Sequence, residues 1–194
     1  MLIGPEKLME SIREFDSYLT RDIAITAVGG TALTLLGKKE STKDIDLCFK
    51  TEADQDRFLK IAERLGYKLQ SGRLVGHGLI IDLFTGGYIF CVQLPSDYQK
   101  KATEIRKMRR IHLFSLAPLD LIITKTARLN ERDLEDIETI FMSFDINKDE
   151  LVTRYFATME GSVVRDAKLN LKHLAYKFNF SATIKKRIEK WDYD

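Results

Sequence analysis

Two acidic residues and a glycine turn stand close together in the first quarter of the chain. Asp44 and Asp46 are separated by one residue in the strand-like run 44–49, so both side chains are expected on one face of a strand. Carboxylates about 7 Å apart on one face repel each other unless a cation lies between them. The turn Gly29-Gly30-Thr31 follows an apolar run and opens a short helix, where backbone N–H groups and the Thr31 hydroxyl can hold phosphate oxygens. The pattern predicts a site for a metal ion and a nucleotide.

Asp82 is a third acidic residue, in the middle of the apolar, strand-like run 79–84. A charge at that position is costly to bury, so a partner is expected. One candidate is a divalent cation, Mg²⁺ or Mn²⁺, bound by oxygen atoms of Asp44, Asp46 and Asp82 together. The alternative is an ion pair between Asp82 and a nearby lysine or arginine. The Gly29-Gly30 pair also has an alternative interpretation, as a tight turn between a strand and a helix that binds no phosphate.

Two common nucleotide-binding motifs are excluded by the spacing of the glycines. No third glycine stands at the offset that a Rossmann fingerprint requires. Six residues separate Gly30 from Gly37, and Lys38 is followed by Lys39 rather than by Ser or Thr, so the segment is not a P-loop. The three histidines show no metal-ligand spacing, so a zinc site is not expected.

The elements that must position these residues alternate in type over the first half of the chain. A helix is predicted after Pro5, then a buried strand over 23–28, followed by further helices and short strands. From Pro118 onwards the apolar residues recur only at helical spacing. The sequence therefore predicts an α/β domain, with a mixed β-sheet flanked by helices, over residues 1–116, and a C-terminal helical bundle over residues 117–194.

The first helix predicted in the C-terminal half carries basic residues beside its apolar stripe. Lys125, Arg128 and Arg132 follow one another at helical spacing, and cations in this arrangement could reach a triphosphate. In the next predicted helix, Asp133 and Asp136 each stand four residues before an isoleucine and are expected to face inward. Both helices are therefore candidates to contribute to nucleotide binding.

The composition is that of a globular protein without a membrane segment. Hydrophobic residues make up 44% of the chain and charged residues 31%, and no apolar run is long enough to span a bilayer. The N-terminal residues lack the pattern of a signal peptide. Cys48 and Cys91 both fall in apolar runs and are predicted to be buried thiols in a reducing compartment. We therefore expect a cytoplasmic location and no membrane partner.

Basic residues are concentrated in two segments, although the net charge is only +2. Residues 100–110 contain six lysines and arginines against one glutamate, and residues 165–190 contain eight against two acidic residues. Such segments can bind the phosphate groups of RNA, but they are also common as solvated helix faces. Both interpretations remain open.

The spacing of the glycine turn and the acidic residues resembles that of the polymerase-β nucleotidyltransferase superfamily. Val28-Gly29-Gly30 is followed after thirteen residues by Asp44-Ile45-Asp46-Leu47, and Asp82 lies in a later strand. Many superfamily members have Gly-Ser where this chain has Gly30-Thr31, a difference that keeps a hydroxyl group near the turn.

A narrower resemblance connects the chain to the nucleotidyltransferase-like toxins of abortive-infection toxin–antitoxin systems. The segments 29–33 and 41–47 are similar to the first motif of those proteins. Lys125 and Asp136 look like their downstream lysine and the aspartate of their following helix. The resemblance implies that an antitoxin could be a partner of this protein.

The resemblance implies an enzyme that moves a nucleoside monophosphate from an NTP to an acceptor hydroxyl, on RNA such as tRNA or on a protein, and releases pyrophosphate. Asp44, Asp46 and Asp82 would be catalytic and would bind Mg²⁺ or Mn²⁺, with Asp82 orienting or deprotonating the attacking hydroxyl. Together with the spacing of the residues described above, it leads us to expect nucleotide and phosphate binding by Gly29, Gly30, Thr31, Lys43, Lys125, Arg132 and Asp136. The alternatives are a non-catalytic nucleotide- or RNA-binding module of the same fold, and an interaction protein without activity.

Overall fold

A computed structural model describes residues 2–193 and divides the chain into two compact units. The first unit consists of the chain up to Gly87 together with Ser96–Ala117. The second consists of Tyr88–Pro95 together with the chain from Pro118 onwards. The sequence-based division at residue 116 places residues 88–95 in the α/β domain, whereas the structure groups this segment with the helices.

Up to Ala117 the chain contains all nine described strands together with four helices, and the described chain beyond it is helical. The strands in chain order are β1 (Ile23–Ala27), β2 (Ile45–Phe49), β3 (Lys68–Gln70), β4 (Arg73–Gly76), β5 (Leu79–Thr85), β6 (Tyr88–Ile89), β7 (Val92–Gln93), β8 (Thr103–Lys107) and β9 (Ile111–Ser115). The helices are α1 (Pro5–Tyr18), α2 (Gly29–Leu35), α3 (Glu52–Arg64), α4 (Tyr98–Lys101), α5 (Pro118–Thr126), α6 (Glu131–Ser143), α7 (Lys148–Met159), α8 (Ala167–Lys177) and α9 (Ala182–Glu189).

In the first unit the strands form a mixed sheet with the order β3-β4-β5-β2-β1-β9-β8. β2 is parallel to β5 and β1 is parallel to β9, whereas the other neighbouring pairs on this path are antiparallel. Helices α2 and α3 pack against β2. The predicted mixed sheet flanked by helices is therefore confirmed.

Strand β2 is buried along its whole length, and its packing fixes the direction of its acidic residue. Ile45, Leu47 and Phe49 alternate along the strand and belong to the hydrophobic core. The ring of Phe49 lies 5.1 Å from that of Phe58, which stacks on Phe15 of α1 at 4.2 Å. A slip of one residue would turn this apolar set away from the core, so the register is strongly determined. The opposite face of β2 is therefore the face that carries acidic side chains.

The second unit is the predicted helical bundle, with α5 in contact with α6, α7 and α8. A buried ion pair joins α5 to α7, with Nη2 of Arg154 2.9 Å from Oδ2 of Asp120. Helix α5 ends at Thr126, and Leu129 in the segment after it adopts a φ of +43°. Asn130 then begins α6 as its N-cap and accepts a hydrogen bond from a backbone N–H of that helix.

No helix within the described part of the chain is long and apolar enough to cross a membrane. Cys48 is buried in β2 as predicted, and burial raises the pKa of its thiol. Cys91 is exposed, so its predicted burial is wrong. It lies in the turn between β6 and β7 with a φ of +70°, and the apolar pattern around it therefore belongs to a short hairpin rather than to a core strand.

Candidate functional site

The glycine turn joins the buried end of β1 to α2. Gly29 has a φ of +56°, in the left-handed region that residues with a side chain rarely adopt. A Cβ atom added to Gly30 would lie 2.8 Å from Oγ1 of Thr42, which is closer than an ordinary contact. The turn is also tied to β2, because the N–H group of Val28 donates to the carbonyl of Asp46 at 3.1 Å. The backbone conformation therefore explains why residue 29 is glycine, and the close approach of Thr42 explains why residue 30 is glycine.

Thr31 is fully buried and connects α2 to the acidic segment. Its Oγ1 atom accepts a hydrogen bond from the N–H of Asp46 at 2.9 Å and donates to the carbonyl of Asp44 at 3.2 Å. A hydroxyl group has a single proton to donate, and here the backbone receives it. The structure thus gives Thr31 a positioning contact with both acidic residues, where the sequence suggested a phosphate contact.

Replacing Thr31 by valine is expected to destabilise the protein by about 1–3 kcal/mol, because a buried N–H and a carbonyl lose their partner. Urea denaturation measures this loss. Thr31→Ser is the matched control, since serine keeps the hydroxyl group and is expected to retain most of the stability. A loss with serine as large as that with valine would show that the methyl group, rather than the two hydrogen bonds, holds the contact.

The three candidate catalytic residues lie on one face of two adjacent parallel strands. Asp46 in β2 is the register partner of Asp82 in β5, and Asp44 directly precedes β2. Residues paired across strands, and residues two apart along a strand, point to the same side of a sheet. Asp46 is only 5% exposed, whereas Asp44 and Asp82 are partly open to solvent. The structure therefore brings the three acidic residues together.

A guanidinium group lies between two of these carboxylates. Atom Nη2 of Arg73 is 2.9 Å from Oδ2 of Asp44 and 2.6 Å from Oδ2 of Asp82, and Nε of Arg73 also contacts Asp82. Arg73 lies in β4, directly opposite Asp82 in the antiparallel pairing with β5. Its hydrogen bond to Asp82 is the largest of the effects that raise the pKa of Arg73. The ion pair that the sequence left open as an alternative for Asp82 is therefore present.

The arrangement differs from a site in which all three carboxylates converge on one metal ion. Within residues 2–193, no three Asp, Glu, His or Cys side chains are placed as ligands of a single ion. The physical reason is that Arg73 supplies the positive charge that Asp44 and Asp82 require. Asp44 and Asp82 both contact the same nitrogen atom of Arg73, which therefore occupies the position that a metal ion could take. Carboxylate oxygens are also the ligands that Mg²⁺ prefers. The residues therefore fit a metal ion, and the metal assignment stays a prediction.

In the second unit, Lys125 lies at the centre of a buried charge cluster. Its side chain is 2% exposed, and Nζ is 2.5 Å from Oδ2 of Asp136 and 3.4 Å from Oδ1 of Asp133. Arg128 contacts the same Asp133 oxygen at 2.9 Å and packs over the ring of Phe90. The predicted inward orientation of Asp133 and Asp136 is confirmed. The ammonium group of Lys125 is held by these acids, which differs from the accessible phosphate-binding cation that the sequence suggested.

The two remaining cations predicted to bind the nucleotide are exposed. Lys43 precedes Asp44 in the first unit, and Arg132 lies in the first turn of α6 in the second. Their charges are accessible to a phosphate group from solvent. Their role in nucleotide binding stays a prediction.

Among the solved structures that resemble this chain, two of ANT(2")-Ia share its fold with a TM-score above 0.5. The crystal structure of ANT(2")-Ia in complex with adenylyl-2"-tobramycin matches with a TM-score of 0.53 and 13% identity, over 78% of this chain and 92% of that one. The solution structure of the antibiotic-resistance factor ANT(2")-Ia gives the same score and identity, over 89% and 95% of the two chains. A candidate nucleotidyltransferase from Thermotoga maritima, TM1012, has a TM-score of 0.43 and 16% identity, over 72% and 93%.

The family of the chain follows from its sequence as a whole. No curated protein matches it. The profile of one protein family, described as nucleotidyltransferase of unknown function (DUF6036), matches residues 6–187 and thus nearly the whole length. The ANT(2")-Ia structures, at 13% identity, add the shared fold. The chain therefore belongs to the DUF6036 family and is a nucleotidyltransferase enzyme.

Proposed function

We propose that the protein transfers a nucleoside monophosphate from an NTP to an acceptor hydroxyl, releases pyrophosphate and requires Mg²⁺ or Mn²⁺. The observation that carries this proposal is the placement of Asp44, Asp46 and Asp82 on one face of two adjacent strands in a nucleotidyltransferase. Carboxylate oxygens on a rigid strand pair are suited to divalent cations that neutralise a triphosphate.

The proposed division of labour follows from the position of each acidic residue. Asp44 and Asp46 would hold the metal ions that contact the triphosphate, and Asp82 would bind the catalytic metal ion and take the proton of the acceptor hydroxyl. Bound metal ions would stabilise the charge on the attacking and leaving oxygens. The acceptor oxygen forms a bond to the α-phosphorus, and the bond from that phosphorus to the bridging oxygen of pyrophosphate breaks. Because β2 is buried and its register is fixed, these residues act by holding the metal ions and the acceptor hydroxyl in position.

Phosphate contacts are assigned to the glycine turn and to residues that match the family resemblance. The backbone N–H groups of Gly29 and Gly30 and the exposed side chain of Lys43 are the contacts proposed in the first unit. In the second unit, the exposed side chain of Arg132 in the first turn of α6 supports this residue as a phosphate contact, and the resemblance supports Lys125 and Asp136 as an ion-paired element of nucleotide binding. Thr31 contributes by holding the backbone of the acidic segment.

RNA is the acceptor that the exposed basic residues favour. Lys100, Arg106 and Lys107 are exposed in the first unit and can contact a phosphate backbone. Two other basic residues of this segment already have partners within the protein. Arg109 donates to backbone carbonyls at the end of α1, and Arg110 pairs with a surface aspartate. The acceptor contact is therefore assigned to part of the basic segment rather than to all of it.

The function can be tested by incubating the protein with each α-labelled NTP, Mg²⁺ and total RNA. We expect labelled RNA and released pyrophosphate, and neither product when EDTA is added. Tobramycin serves as a small-molecule acceptor, because the ANT(2")-Ia complex contains adenylyl-2"-tobramycin. Label on tobramycin or on protein, without label on RNA, would support the transfer reaction and contradict RNA as the acceptor. No transfer with any NTP would favour a non-catalytic nucleotide-binding module.

A role as the toxin of a cytoplasmic toxin–antitoxin pair is the finer form of the proposal. Its support is the similarity of segments 29–33 and 41–47 to the toxin family. Expression of the wild-type protein should then arrest growth, and a neighbouring reading frame should encode a protein that restores it. Normal growth at high expression of an active enzyme would contradict the toxin role and leave the transfer reaction unaffected.

A further inference from the structure

Arg73 places a positive charge between the candidate metal ligands Asp44 and Asp82. We propose that Arg73 competes with the divalent cation for these two carboxylates and must release them before the metal–nucleotide complex binds. This inference rests on the proposed function and adds a residue to the same site. It makes Arg73 a residue that sets the metal affinity of the enzyme.

The contacts of Arg73 use the oxygen atoms that a metal ion would need. Nη2 is 2.9 Å from Oδ2 of Asp44 and 2.6 Å from Oδ2 of Asp82, and Nε contacts Oδ1 of Asp82. Both oxygens of Asp82 therefore face the guanidinium group. Divalent cations bind carboxylate oxygens at about 2.0–2.6 Å, so a metal ion held by Asp82 or by Oδ2 of Asp44 would bind atoms that Arg73 contacts. The two cations therefore compete for these oxygens.

The charges of the site favour this exchange. Asp44 and Asp82 carry two formal negative charges, and the one guanidinium group that contacts both of them carries a single positive charge. A divalent ion brings twice the charge and approaches the oxygens more closely, so its attraction to the acids is stronger. Repulsion between a divalent ion and a guanidinium group at such short range would drive Arg73 away.

The guanidinium group of Arg73 is partly exposed and can move away from the carboxylates into solvent. Its side chain is 41% exposed, whereas that of Asp82 is 19% exposed, so the guanidinium can turn towards solvent while β4 stays paired. A free guanidinium group has the planar, two-pronged geometry that binds phosphate oxygens. Arg73 therefore passes from the carboxylates to the triphosphate when the metal–nucleotide complex binds.

Calorimetric titration with Mn²⁺ in the absence of nucleotide tests the competition directly. We expect Arg73→Gln to bind Mn²⁺ about tenfold more tightly than the wild type. Arg57→Gln is the matched control, because the Arg57 side chain is 40% exposed and its Nη1 lies 2.7 Å from Oδ1 of Asp54 on α3. Its Mn²⁺ affinity should equal that of the wild type. With saturating Mn²⁺, Arg73→Gln should show a higher KM for NTP.

An Mn²⁺ affinity of Arg73→Gln that equals or falls below the wild-type value would overturn the inference, because a purely structural ion pair loosens the site when it is removed. If Arg73→Gln does not fold, Arg73→Lys replaces it. Lysine keeps the positive charge but lacks the planar guanidinium group that contacts both carboxylates, so we expect an Mn²⁺ affinity between those of the wild type and Arg73→Gln. An Mn²⁺ affinity equal to that of the wild type would overturn the inference. Tighter Mn²⁺ binding by Arg73→Gln without nucleotidyl transfer by the wild type would support the inference and contradict the proposed function.

Discussion

Replacing Asp46 by asparagine is expected to slow nucleotidyl transfer by about 10²–10³-fold while the protein keeps its fold, a loss comparable to that caused by removing one transition-state contact. The amide preserves the shape of this buried side chain, but it removes the negative charge that would hold a metal ion. The rate of pyrophosphate release at saturating NTP measures the effect. A thermal melt of the same sample verifies the fold.

The control for this prediction is Asp22→Asn, which changes an exposed acid of the same unit that forms a surface ion pair with Arg110 at 2.9 Å. It should transfer nucleotide at the wild-type rate. Asp82→Asn should be as slow as Asp46→Asn if both acids serve the reaction. A wild-type rate for Asp46→Asn would show that the metal assignment of Asp46 is wrong.

Replacing Lys125 by methionine is expected to lower the free energy of unfolding by about 3–5 kcal/mol. The substitution leaves the carboxylate of Asp136 buried without the ammonium group that lies 2.5 Å away, and it removes a second contact from Asp133. Burial of a carboxylate that has lost the ammonium group of Lys125 is the main cause of the loss. Urea denaturation followed by circular dichroism measures it.

Lys177→Met is the control, because Lys177 forms a surface ion pair with Glu138 at 3.5 Å and is 39% exposed. Its removal should cost less than about 1 kcal/mol. Adding Asp136→Leu to Lys125→Met should recover part of the stability, since the double variant buries no carboxylate at position 136. If Lys125→Met instead keeps its stability and raises the KM for NTP, then Lys125 is a phosphate-binding cation rather than a structural one.

The acidic residues could be located from sequence because strand periodicity and core packing act together. Ile45, Leu47 and Phe49 specify one face of β2, so Asp46 has to lie on the other. Asp82 is recognisable because a charge in an apolar strand needs a partner. These rules depend only on local sequence, which explains why they locate the acids and leave the identity of the partner open.

The partner of Asp82 depends on a strand register that a small turn determines. His77 and Gly78 have φ values of +51° and +73° and form a two-residue loop between β4 and β5. Counting outward from that loop pairs Arg73 with Asp82. His-Gly is a weaker hairpin signal than Asn-Gly or Asp-Gly. From sequence alone, the glycines at positions 72, 76 and 78 therefore indicate interruptions between short strands and do not identify one hairpin.

The role of Lys125 could not be read from its helix alone. Helical spacing correctly orients Asp133 and Asp136 inward, and it places Lys125 beside an apolar stripe. Whether such a lysine reaches solvent depends on the neighbouring helix, whose acids cover it here. A similar limit applies to Thr31, because its two backbone partners are more than a dozen residues away in the chain.

The pair formed by Arg73 and Asp82 also bears on how the protein is made. The two residues belong to one hairpin and are nine positions apart, so closing this contact costs little chain entropy. Contacts between residues so close in sequence favour fast folding. The sheet therefore gains a counterion for its acidic residue from its own hairpin. Accumulation of folded enzyme in the cell should then be independent of the metal supply on which its activity would depend.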